Sequence, residues 1–202
     1  MKMVNKVLAT VMGASLLLVA GVTQAESTYG YQANGTGDVS ATAKLKVKVT
    51  IPKLILLRVG TAGATVDELE FSGSPDVTTI TSLTDGDSGA ADWDGSAPTF
   101  GDTAAQSVNA FAWTNATGAT LSCSTAEDAA LTGLSPASIS VAKTAGSLDH
   151  PGTDTGCSGS NTTITPNTLM TATWDYSIAG TTLLGANAGV YQQTTTYTAT
   201  TL

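Results

Sequence analysis

The chain has 202 residues, 8 of them Lys or Arg and 16 Asp or Glu, for a formal net charge of −8. Anionic partners are met by clusters of Lys and Arg, so this balance argues against nucleic acid as a partner. One histidine and two cysteines supply no nucleophile–base pair and no zinc cluster. There is no serine-centred elbow, and the sequence reads as that of a protein that is not an enzyme.

Residues 1–25, MKMVNKVLATVMGASLLLVAGVTQA, have a basic start at Lys2 and Lys6, an apolar run and small residues at the end. That is the layout of a secretory signal peptide, with cleavage expected after Ala25. The apolar run is shorter than the roughly 20 residues of a membrane span, and no later segment approaches that length, so no membrane insertion is expected after cleavage. Losing Lys2 and Lys6 takes the charge of −8 to −10. The next segment, 26–38 (ESTYGYQANGTGD), is polar and glycine-rich and reads as a flexible leader.

At 39 the pattern changes. The odd positions Val39, Ala41, Ala43, Leu45, Val47, Val49 and Ile51 are apolar, and the even ones, Ser40, Thr42, Lys44, Lys46, Lys48 and Thr50, are polar or cationic. Side chains alternate across a strand, so 39–51 is an extended element with one apolar face, about 40 Å long. Two readings are open. It is an edge strand of its own domain, with lysines guarding against edge-to-edge pairing, or it leaves its own domain and completes the sheet of another copy. After Pro52, LILL at 54–57 reads as a strand buried on both faces.

Downstream, short runs of period two are separated by Gly, Asn, Asp and Pro, as in an antiparallel sandwich. Expected strands are 39–50, 53–59, 68–72, 77–83, 108–114, 120–124, 137–142, 169–178 and 190–200, in a sandwich domain over 39–202. Segment 84–107 is expected as a long exposed loop. Within it, TDGDSGAADWDG places Asp85, Asp87, Asp92 and Asp94 close together. Carboxylates on a flexible loop suit calcium; the plainer reading is a solvated acidic turn. Trp93 in that loop is either a core residue or, in a sugar-binding sandwich, a stacking platform. Trp113 and Trp174 are expected in the core. Cys123 and Cys157 are expected to form one disulfide. The sequons at Asn34, Asn115 and Asn161 are expected to be unmodified.

Two stretches carry a likeness to a known family. LKVKVTIPKLILLR at 45–58 joins an alternating strand, a proline and a second hydrophobic strand, and AGVYQQTTTYTATTL at 188–202 opens a terminal strand with AG-x-Y-Q. In these two stretches the chain resembles the major subunits of chaperone-usher fimbriae, most closely those of the colonisation-factor type. The resemblance implies an incomplete immunoglobulin-like sandwich whose last strand is supplied first by a periplasmic chaperone, at an outer-membrane usher, and then by the next identical subunit. The exchanged face would be Ala43, Leu45, Val47, Val49 and Ile51, and the groove edge Gly189, Val190, Tyr191 and Tyr197. The expected fold is therefore an all-β, immunoglobulin-like antiparallel sandwich with an N-terminal extended strand, and the expected function a subunit of a bacterial surface fibre. A secreted glycan-binding module, with calcium in the acidic loop, is the alternative.

Overall fold

The computed structural model describes residues 26–80 and 83–202. The expected signal segment 1–25 lies outside the described residues, and so do residues 81–82 of the expected strand 77–83. The chain divides into two compact units, Met1–Ile51 and Pro52–Leu202.

In the first unit, residues 26–51 are exposed throughout and carry no strand. Thr28 Oγ1 donates to the carbonyl of Thr42 at 2.9 Å. The expected strand 39–50 thus joins no ladder among the described residues. Alternation gives a segment the shape of a strand, but its N–H and C=O groups need a sheet edge before it becomes one. Residues 39–51, expected to open the sandwich domain, fall in this first unit.

The second unit is all-β. Its strands are β1 Ile55–Val59, β2 Pro75–Asp76, β3 Thr99–Phe100, β4 Gln106–Thr114, β5 Thr120–Ala129, β6 Ser140–Gly146, β7 Thr162–Thr163, β8 Met170–Ser177 and β9 Gln192–Thr200. A 3-10 turn at Pro136–Ser138 and one short helix, α1 (Gly180–Leu184), complete it. One sheet has the order β1-β4-β8-β6, a second β7-β5-β9, and β2 pairs with β3 alone. Every ladder is antiparallel.

Period two explains the packing. In β8, MTATWDYS, Met170, Ala172, Trp174 and Tyr176 are buried, while the residues between them are half-buried on the opposite face. Both larger sheets feed one apolar cluster: Ala110 and Ala112 from β4, Val141 from β6, the inward row of β8, and Leu121 from β5. Trp174 is fully buried at its centre, and its indole N–H is satisfied by the carbonyl of Leu148 at 3.0 Å. Truncating a buried Trp to Ala costs about 3–5 kcal/mol.

Several expectations are corrected: the expected loop 84–107 holds β3 and the first residues of β4, and the expected strand 137–142 begins in the 3-10 turn, with β6 starting at Ser140. LILL is not buried on both faces: Ile55 and Leu57 turn toward the core, while Leu54 and Leu56 are about half exposed at 50% and 55%. The reason is that β1 is the last strand of its sheet, so its outer side chains lack a neighbour on one side. Segment 68–72 forms no strand, although Leu69 and Phe71 pack on the core; apolar burial there proceeds without a ladder. Of 77–83, the described residues show a single bridge, Val77 to Ile80. Trp93 is not a core residue but 60% exposed, and Trp113 is half-buried rather than central.

Candidate functional site

β1 and β9 are end strands of different sheets. They approach within 8 Å, Cα to Cα, yet no backbone hydrogen bond joins them among the described residues. Both sequences suit a strand: ILLRV is apolar and branched, and QQTTTYTAT is rich in β-branched threonine. The inward rows of these two strands, Ile55, Leu57 and Val59 on β1 and Tyr197 and Ala199 on β9, are only half-buried, in contrast to the buried row of β8. The apolar rows of β1 and β9 are thus only half covered along a seam, and no strand pairs with the outer edge of either among the described residues. Such an edge is a template for another strand.

One end of the seam is organised by residues that the sequence reading did not place there. The last β1–β4 ladder pair is Ile55 with Thr114. Beyond it, the Asn115 side chain takes over the work of a strand: its Oδ1 accepts from the Leu54 N–H at 2.8 Å and its Nδ2 donates to the Pro52 carbonyl at 2.8 Å. Thr114 Oγ1 donates to the Leu54 carbonyl at 2.9 Å. From between these points, Lys53 Nζ donates to the carbonyl of Leu202, past the end of β9.

A polar chain runs inside the core behind β9. His150 Nδ1 lies 3.0 Å from the Gly152 carbonyl, so Nδ1 carries the hydrogen and Nε2 accepts. The donor to Nε2 is the Tyr197 hydroxyl at 2.8 Å, and Tyr197 in turn accepts from the Tyr176 hydroxyl at 2.8 Å. Burial pushes the His150 pKa down, against the opposing pull of the Gly152 hydrogen bond and the Asp154 charge. Burial and the adjacent Tyr176 push the Tyr197 hydroxyl up. Tyr197, expected on the groove-edge strand, lies on β9, and its side chain ties β9 to β8 across the core.

The other expected groove-edge residues lie just before β9. Gly189 has φ +156°, a conformation in which a side chain is strained, and a Cβ there would meet Leu131 Cδ1 at 2.7 Å. Val190 is exposed. Tyr191 is half-buried, donates to Gln193 Oε1 at 2.9 Å, and is pushed up to about 12 by burial and by the neighbouring Glu127 carboxylate. On the expected donor face, Leu45, Val47, Val49 and Ile51 are 75–77% exposed, and Ala43 is exposed as well.

Cys123 on β5 and Cys157 form the expected disulfide. In the acidic loop, Asp94 Oδ1 accepts from the Ser96 N–H and hydroxyl at 2.9 and 2.6 Å, which holds its carboxyl below the usual range. The Trp93 indole donates to the Ser96 carbonyl at 2.8 Å. Asp85, Asp87 and Asp92 are exposed, and no three acidic, His or Cys side chains converge on a common point among the described residues. No protein-family model, no curated protein and no solved structure matches the chain.

Proposed function

We propose that the protein is a secreted structural subunit of a bacterial surface fibre, polymerising by strand exchange: residues 39–51 of one copy fill the β1–β9 seam of the next. The observation that carries this reading is the seam itself, two unpaired strand edges over a half-open apolar row. The arm is its complement. Fully burying a Val, Leu or Ile side chain is worth about 1.5–3 kcal/mol, and the arm holds five such residues, Val39, Leu45, Val47, Val49 and Ile51, exposed at odd positions. In chain order, β1-β4-β8-β6 corresponds to the ABED sheet of an immunoglobulin sandwich and β5-β9 to the CF part of its partner sheet, which leaves strand G as the place beside β9. A strand between two edges sets them about two strand spacings apart, roughly 9–10 Å, so insertion widens the seam.

Charge supports the same pairing. All but Glu26 and Asp38 of the 16 acidic residues lie in the second unit, whose basic residues are Lys53, Arg58 and Lys143. Lys44, Lys46 and Lys48 of an incoming arm meet an anionic surface, which speeds encounter and fixes register more than it adds affinity. On the fimbrial resemblance, a periplasmic chaperone covers the seam during export and an outer-membrane usher passes subunits outward; no catalysis is involved.

Val47→Asp tests the proposal. A carboxylate in the middle of the apolar face must be desolvated without a partner, at a cost of several kcal/mol. Fibres seen by electron microscopy and sedimentation are expected to disappear. Replacing Lys44, Lys46 and Lys48 by Gln should slow assembly and flatten its salt dependence without preventing it. Unchanged fibres from Val47→Asp would contradict strand exchange. The exposure of Trp93 favours one other reading, a glycan-binding module.

A further inference from the structure

We propose that the outer face of the sheet formed by β1, β4 and β8 binds a neutral oligosaccharide, with Trp113 as the stacking platform and Arg58, Ser107 and Asn109 as polar contacts. The site uses neither the β1–β9 seam nor Trp93, and it stands whether or not strands are exchanged.

Period two leaves this face uncovered. In β4, Ala110, Ala112 and Thr114 are buried, so Ser107, Asn109, Phe111 and Trp113 turn outward. Register sets them beside the outward residues of the neighbouring strands. Trp113 stands opposite Leu56, and Phe111 stands between Arg58 and Thr171. Exposed Leu169 directly precedes Met170, the partner of Ala112, and so continues the Trp113 row. The face is therefore graded along β4. Leu56, Trp113 and Leu169 make its apolar end. At the other end Ser107 Oγ donates to Asp175 Oδ1 at 2.6 Å, and Thr173 Oγ1 donates to Asn109 Oδ1 at 3.2 Å, which leaves the Asn109 amide nitrogen as a donor. A cavity of about 430 Å³ opens there, with Arg58, Asp67, Glu68, Ser107 and Asn109 in its lining. Its size and its pairing of an apolar surface with a few convergent polar groups are those of a small-ligand site.

The chemistry of the face selects the occupant. Three partly exposed apolar side chains fall far short of the roughly 800 Å² that each partner brings to a stable protein interface, which argues against a second copy. Acidic ligands are opposed by Asp67, Glu68 and Asp175, and by a unit that holds all but two of the 16 acidic residues. A neutral sugar meets both ends of the gradient. The negative face of an indole attracts the C–H hydrogens of a pyranose ring, and the ring's hydroxyls take the polar groups. Arg58 is held ready to donate to them: its guanidinium lies 3.8 Å over the Phe111 ring and makes no ion pair among the described residues, although Asp67 and Glu68 line the same cavity.

The test presents the full-length chain to immobilised oligosaccharides: neutral ones ending in galactose, glucose or N-acetylglucosamine, with 3′-sialyllactose as the acidic counterpart. Binders are then titrated in solution by calorimetry. At least one neutral oligosaccharide should bind, and more tightly than 3′-sialyllactose. Trp113→Ala should weaken that binding at least tenfold and Arg58→Gln several-fold, whereas Trp93→Ala should leave it unchanged. Arg58→Gln and Asn109→Ala, both at exposed positions, carry the test if Trp113→Ala does not fold. Failure of every neutral oligosaccharide to bind, or tighter binding of 3′-sialyllactose, would overturn the proposal. So would binding that Trp93→Ala abolishes and the other three variants keep. Sedimentation of the Val47→Asp chain checks the remaining occupant: self-association that Trp113→Ala removes would assign the face to a second copy and overturn the sugar site.

Discussion

Tyr197 is where the seam meets the core. Its hydroxyl joins β9 to β8 through Tyr176 and to the 149–157 loop through His150, all within 2.8 Å. The direction of the hydrogens follows from the Gly152 carbonyl, which requires a hydrogen on His150 Nδ1. Protonating Nε2 reverses the chain, because Tyr197 must then accept from the imidazolium and turn its own hydrogen to Tyr176. The groups facing the ring are Asp154, which favours the charge, and Tyr176, Tyr197 and Trp174, which do not titrate near neutrality. The folded pKa lies below the ordinary value of 6.5, so the unfolded chain binds the proton first. The stabilisation is complete above pH 6.5 and is lost as the pH falls toward the lower folded value. Melting temperatures should drop from pH 7 to pH 5 by more in the unaltered chain than in His150→Gln; equal slopes would remove His150 from the account. Nothing in the sequence announces this network, because His150 and Tyr197 are 47 positions apart and meet only through the pairing of β5 with β9.

The elements divide by what fixes them. β8 was legible because alternation alone buries Trp174 and Tyr176, and β4, β5 and β9 likewise fall where period two placed them, with ends shifted by a few residues. The 68–72 run misled because Leu69 and Phe71 find the core without a ladder, and LILL misled because an apolar run does not say whether both faces will be covered. The arm's alternating face was visible, but the seam was not: it arises from strand order, which depends on partners far apart in sequence. In the sequence Asn115 reads only as a sequon, since its bonds to Pro52 and Leu54 come from standing one residue past the end of β4. The acidic loop offers a test at this scale. If Asp85, Asp87 and Asp92 remain solvated and Asp94 is held by Ser96, millimolar calcium should leave the melting temperature unchanged. A rise of several degrees that Asp85→Ala with Asp87→Ala abolishes would move the weight to the calcium-dependent glycan module.

At the scale of the whole molecule, the two units have opposite needs. Residues 26–51 present apolar side chains to water and join no ladder among the described residues, and β1 and β9 of Pro52–Leu202 are end strands. The disulfide closes a separation of 34 residues within the second unit, which on loop-closure entropy stabilises it by about 3–4 kcal/mol. The most direct measurement is thermal unfolding of the chain lacking residues 26–51, with and without a peptide of residues 39–51. Strand exchange predicts a weakly stable domain that binds the peptide and melts several degrees higher with it, by mass action on the folded state. A fully stable monomer without the peptide, and no affinity for the peptide when it is added, would show that the arm completes nothing and would contradict the proposed function.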